Sequence, residues 1–125
     1  FRDLFWGGDK LDVKLVQYID SLRPRYRTAL LSNAWSETRA EMNRKHRLLH
    51  AFDAIVFSSE VRLAKPDPAI FLYLLDLLSV PPERAVFVDD VAKNVDGALK
   101  LGMHGVVFQN ARQTINDLEK LGISK

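Results

Sequence analysis

Helical and strand-like patterns of apolar residues alternate along the chain. Over residues 10–22, Leu11, Leu15, Val16, Ile19 and Leu22 recur at the helical period, and Arg23-Pro24 stops the run. Thr28 to Leu31 is a short apolar run ending at Ser32-Asn33, the pattern of a buried strand feeding a loop. Ser36 stands where a helix cap belongs, ahead of a helix predicted over 37–49. Strands are predicted over 54–57, 85–88 and 105–108. Helices are predicted over 68–78, with Asp67 as cap and Pro68 in the first helical position, over 92–101, stopped by Gly102, and over 114–121, stopped by Gly122. Residues 1–9 read as an irregular lead-in, because Gly7-Gly8 interrupts any element there and Asp9 is placed to cap the first helix.

This order predicts an α/β fold, a Rossmann-like parallel sheet with helices on both faces. The length of 125 residues fits one domain, and 47% hydrophobic with 27% charged residues is globular composition. A formal charge of +2 gives no ground for a nucleic-acid partner. The absence of cysteine excludes disulfides, zinc–thiolate sites and cysteine nucleophiles. The greasiest stretch, 69–78, contains Asp76 and is far shorter than the ~20 residues of a membrane span. No secretory signal opens the chain, since Arg2, Asp3 and Asp9 interrupt any apolar run. A soluble, cytoplasmic domain is expected.

In an open α/β sheet, ligands bind beyond the carboxyl ends of the strands. Ser32 and Asn33 follow the first predicted strand, Lys65 lies in the stiff Lys65-Pro66-Asp67-Pro68 loop after the second, and Asp89-Asp90 follow the third, with Asn94 four residues on. Adjacent carboxylates suit a hard cation such as Mg²⁺, which takes one or two protein oxygens and leaves the rest of its shell to water and phosphate. A lysine held by prolines can neutralise phosphate charge, and a serine hydroxyl can bond a phosphoryl oxygen. Each residue also has a plainer use: the aspartates as helix caps, the lysine as a solvated side chain, the serine as a turn residue. Their conjunction on one sheet edge favours a site for phosphate plus metal.

The motifs Leu30–Trp35 (LLSNAW), Lys65–Phe71 (KPDPAIF) and Val86–Asn94 (VFVDDVAKN) resemble, in order, the second, third and fourth motifs of the haloacid dehalogenase-like (HAD) hydrolase superfamily, the last closest to its phosphatase branch. The resemblance implies that Ser32 binds a phosphoryl oxygen with Asn33 beside it and that Lys65 stabilises charge on nucleophile and phosphoryl group. It also implies that Asp90 coordinates Mg²⁺, that Asp89 orients Lys65 or a metal-bound water, and that Asn94 supports the metal loop. The family's first motif is a strand ending in Asp-x-Asp, whose first aspartate becomes an aspartyl-phosphate and whose second is general acid and base. No Asp-x-Asp occurs in this sequence. Residues 1–9 then read as the end of a cap region, and 10–125 as a partial core domain lacking the central, nucleophile-bearing strand.

The function implied is the C-terminal part of a Mg²⁺-dependent phosphatase of small phosphate esters, inactive as this chain alone. The alternatives are an inactive remnant that binds phosphate or a partner, and a dehalogenase fragment, which the acidic pair disfavours because dehalogenases need no metal. A receiver domain uses similar residues in another order. An absent central strand predicts that 28–31 pair directly with 85–88, or that another polypeptide, a second copy or a complementing N-terminal segment, sits between them. His46 and His50 share a helical spacing that can bind metal, but Arg44, Lys45 and Arg47 oppose a cation there. Residues 23–47 carry seven basic and two acidic residues, enough to steer anions. His104 reads as structural. Trp6 and Trp35 are candidates for the site mouth or for the core.

Overall fold

The computed structural model describes residues 2–8, 12–32 and 50–124. Among these, five parallel strands form one sheet in the order β3-β2-β1-β4-β5. They are β1 (Asp3–Trp6), β2 (Arg27–Ser32), β3 (Ala54–Phe57), β4 (Ala85–Asp89) and β5 (His104–Val107). The helices are α1 (Val13–Ser21), α2 (Ser58–Val61), α3 (Pro68–Leu77), α4 (Ala92–Leu99) and α5 (Ala111–Lys120). The α/β parallel sheet is as the sequence predicts. The helix predicted over 37–49, its cap Ser36 and the cap Asp9 lie outside the described residues. The cap seen on α1 is Asp12, whose carboxylate accepts from the Leu15 N–H at 2.9 Å.

The centre of the sheet is a correction. Residues 3–6 are not an irregular lead-in: they form β1, which pairs with β2 on one side and β4 on the other. Trp6 is level with Leu30 and with Val88. Residues 28–31 therefore do not pair with 85–88, and no second polypeptide is needed between them. The physical reason is burial on both faces. Leu4 and Trp6 join Leu30, Val86 and Val88 in the core beneath α1 and α5, while Phe5 joins Ala29, Leu31 and Phe87 in the core beneath α3 and α4. A central parallel strand is apolar on both sides, so three consecutive apolar residues suffice. Among the described residues no helix is long and apolar enough to cross a membrane.

β1 begins with a buried carboxylate. Asp3 is fully buried and accepts from Arg27 Nε at 2.9 Å, with Arg2 Nε at 3.4 Å. Both guanidinium groups continue to the end of α3, Arg27 to the Leu78 carbonyl at 2.5 Å and Arg2 to the Ser79 carbonyl at 2.6 Å. The cluster ties the central strand to a helix on one face. Asp3→Ala is expected to cost about 2 kcal/mol, the range for charged hydrogen bonds whose partners keep partial access to water, read as a lower urea midpoint at unchanged slope.

Asp53 holds the start of β2, accepting from the Thr28 N–H at 2.8 Å and from Arg23 at 2.8 Å. Burial alone would raise the Asp53 carboxyl, but the Thr28 N–H and the Arg23 guanidinium outweigh it and hold it below the usual carboxylate range. A lowered folded-state pKa gives stability that is present above the unfolded value, about 3.9, and lost as pH falls through the folded value. Asp53→Asn should therefore lower the melting temperature at pH 7 and flatten its fall below about pH 4, checked by melts across that range.

Candidate functional site

Strand order reverses between β1 and β4, and the crevice beyond the carboxyl ends at that switch point is where open α/β sheets take ligands. Ser32, the last residue of β2, and Asp89, the last of β4, are both fully buried there. Lys65 enters from the loop before α3. A turn closed by Asp67 N–H to the Ala64 carbonyl at 2.9 Å shapes that loop, and Asp67 caps α3 through the Ala69 N–H at 2.9 Å. The Lys65 side chain is 1% exposed, and its Nζ donates to Asp89 Oδ2 at 2.7 Å and to the Gly7 carbonyl. The ammonium also stands 5.9 Å from the centre of the Phe87 ring.

Asp89 is fixed from several sides. Oδ1 accepts from the Val91 N–H at 2.8 Å, and Oδ2 accepts from Asn94 Nδ2 at 3.2 Å as well as from Lys65. Burial raises the Asp89 carboxyl above its ordinary range; Lys65 and the Val91 N–H pull it down without overcoming burial, and neighbouring Asp90 pushes it up. Asp90 itself is exposed at the mouth. The sheet edge thus unites Ser32, Lys65, Asp89, Asp90 and Asn94. Asn33 lies outside the described residues, as do Trp35 and His46. Trp6 is not at a site mouth: it is buried in the core, edge-on to Phe108 with ring centroids 5.1 Å apart. His50 is exposed, and His104 is half-buried on β5.

For a magnesium ion the donor chemistry fits. Both carboxylates are hard oxygen donors, and Asp90 is the one open to solvent. Asp89 is already engaged by Lys65 and Asn94, so Asp90 would be the leading ligand. Among the described residues no group of three His, Cys, Asp or Glu side chains forms a denser metal cluster.

The end of β1 is the part of the site that sequence reasoning missed. Gly7 follows directly, and its N–H donates to the Val88 carbonyl at 2.7 Å. A Cβ on Gly7 would lie 2.5 Å from Asp89 Oδ2 and closer still to the Phe87 ring edge. Gly7 is glycine because strand backbone, Phe87 and the Lys65–Asp89 pair meet there. The signal was readable: Gly7-Gly8-Asp9 keeps the step of Asp-x-Asp after an apolar run, with glycine in the first place.

A second close approach positions the lysine loop. A Cβ on Gly97 of α4 would lie 2.9 Å from the Pro66 carbonyl oxygen and 3.0 Å from Pro66 Cβ. An exposed helix-interior glycine usually gains about 1 kcal/mol on change to alanine. Gly97→Ala should instead lower the melting temperature, because the loop carrying Lys65 must move away; a rise in a thermal melt would contradict this contact.

The profile of the family described as "haloacid dehalogenase-like hydrolase" matches residues 2–102. The chain is 29% identical over 117 residues to bifunctional epoxide hydrolase 2 of Sus scrofa, covering 90% of this chain and 21% of that protein. It is 35% identical over 100 residues to N-acylneuraminate-9-phosphatase of Homo sapiens, covering 79% of this chain and 40% of that one. The chain therefore spans well under half the length of these curated relatives. Among solved structures, it superposes with a TM-score of 0.79 on a predicted HAD-like family hydrolase from Porphyromonas gingivalis, at 29% identity over 94% of this chain and 60% of the other.

Proposed function

Because the chain belongs to the haloacid dehalogenase-like hydrolase family, we propose that it is a phosphatase-type core that binds a phosphoryl group with Mg²⁺ and, as this chain alone, does not hydrolyse it. The observation that carries this reading is that Gly7, which has no side chain, stands at the end of β1 where Lys65, Asp89 and Phe87 converge, so the chain offers no nucleophilic carboxylate at that point. The Ser32 hydroxyl would bond a phosphoryl oxygen, and Lys65 would offset its charge. Asp89, itself bonded by Asn94, orients Lys65, and Asp90 would hold the metal. A bound magnesium ion would supply charge neutralisation at the phosphate oxygens. Without a covalent acceptor these groups bind and position but do not open the ester.

The ligand class is a small phosphate ester. The phosphatases among the relatives support it, and so does the basic surplus over residues 23–47, which draws anions. A complementing strand with its own Asp-x-Asp is disfavoured, because β1 already pairs on both sides and would have to be displaced.

Mg²⁺ with inorganic phosphate should raise the melting temperature by mass action, by about 2.7 kcal/mol of stability at a hundred times the dissociation constant. Asp90→Asn and Ser32→Ala should each abolish most of this combined increment. Hydrolysis of p-nitrophenyl phosphate should lie on the order of 10⁴-fold or more below an intact enzyme of this type. Mg²⁺-dependent turnover that disappears in Asp90→Asn would overturn the non-hydrolytic reading, and the absence of any thermal shift would overturn the binding reading.

A further inference from the structure

We propose that the side-chain amide of Gln113 stands in for one peptide of a sixth strand at the carboxyl end of β5, blocking that end of the sheet's outer edge and keeping this chain monomeric. Among the described residues β5 has a neighbour on one side only, β4. Its backbone groups alternate in direction, as in any strand. Phe108 N–H donates inward to the Asp89 carbonyl at 2.8 Å, so the flanking Val107 and Gln109 turn their backbone groups outward. Gln113, in the first turn of α5, meets both. Its Nε2 donates to the Val107 carbonyl at 3.0 Å, and its Oε1 accepts from the Gln109 N–H at 2.9 Å. One residue of a parallel neighbouring strand does the same, donating to residue i and accepting from residue i+2.

The amide is held in that orientation. Nε2 also donates to Asp117 Oδ2 at 2.7 Å, and Oε1 also accepts from the Asn110 N–H at 3.3 Å, the return half of the capping box that starts α5. A groove of about 470 Å³ runs along this edge, lined by Gly105, Val107 and Gln109 of the edge segment, by Gln113 and Asp117 of α5, and by Leu121 just after it. Val107 is exposed within it. An exposed strand edge with valine side chains is a template for another strand, and proteins block such edges locally. The occupant excluded is a second copy: the same edge on two copies is self-complementary about a two-fold axis, which pairs β5 antiparallel with β5.

The test compares the 125-residue chain with Gln113→Met and Asn110→Ala by sedimentation over a concentration series. Methionine keeps the length and helix propensity of glutamine and removes the amide. Asn110→Ala removes the other half of the capping box and leaves the Gln113 amide on the edge. The expected result is a monomeric wild type, a monomeric Asn110→Ala, and a Gln113→Met whose dimer dissociation constant falls at least about ten-fold below that of the wild type. A wild type already dimeric, a Gln113→Met that stays monomeric, or an Asn110→Ala that dimerises equally would each overturn the proposal. If Gln113→Met does not fold, amide exchange in the wild type decides: a protected Gln109 N–H supports the closed edge, and one exchanging as fast as an exposed loop overturns it.

Discussion

The two-sided pairing of β1 is the constraint on which the rest depends. A parallel sheet with an empty centre would leave two rows of unpaired backbone groups facing each other in the driest part of the molecule. The strand that fills this place is four residues long. It holds there because Leu4, Phe5 and Trp6 serve both cores at once and because Asp3 is tied through Arg27 and Arg2 to the end of α3. Burying a carboxylate is unfavourable unless it is paired and bonded. Asp3 meets that condition, which makes it an anchor for the start of the strand.

The same logic applied to Lys65 and Asp89 points away from simple stability. Removing both charges from water costs several kcal/mol per ion, and an apolar pair of similar volume would often serve the fold as well. The pair is kept with four further supports: the Gly7 carbonyl, Asn94, the Val91 N–H and the face of Phe87. It stands at the switch point of the sheet, beside an exposed Asp90 and a buried Ser32. A set of groups held this closely stands at the place where such folds bind ligands.

The sequence made much of this legible, for identifiable reasons. The strand over 54–57 and the start of the helix at Pro68 coincide with β3 and α3, because a continuous apolar run and an Asp-Pro start are strong local signals. Lys65, Asp89 and Asp90 were placed on the carboxyl edge of the sheet, where the structure has them, because an alternating α/β pattern identifies the strand ends. β1 was not found, because an aspartate at its start and two glycines after it look like loop, and only the tertiary partners Arg27 and Arg2 make Asp3 acceptable in a strand. The start of α5 was placed three residues late, at Thr114 in place of Ala111, although Asn110 and Gln113 carry the spacing of a capping box. The wedge of Gly97 against Pro66 was not legible at all, since it joins two segments about thirty residues apart through contact alone.

Charge balance links the glycine at position 7 to the metal. With Gly7 in place, the Lys65 ammonium meets the Asp89 carboxylate and the Gly7 carbonyl, and Asp89 is further bonded by Asn94 and the Val91 N–H. A carboxylate at position 7 would place a second buried anion on the same lysine, and like charges at such distances need a counter-charge before both can ionise. A site of that composition would depend on a divalent ion for its integrity. A divalent ion at this site would meet one solvent-facing carboxylate, Asp90, and an Asp89 whose oxygens are already engaged. Fewer available anionic ligands mean weaker metal binding, and the gap must be filled by the ligand's own phosphate oxygens. Metal and phosphate are therefore expected to bind as a pair, each supplying the charge that the other lacks.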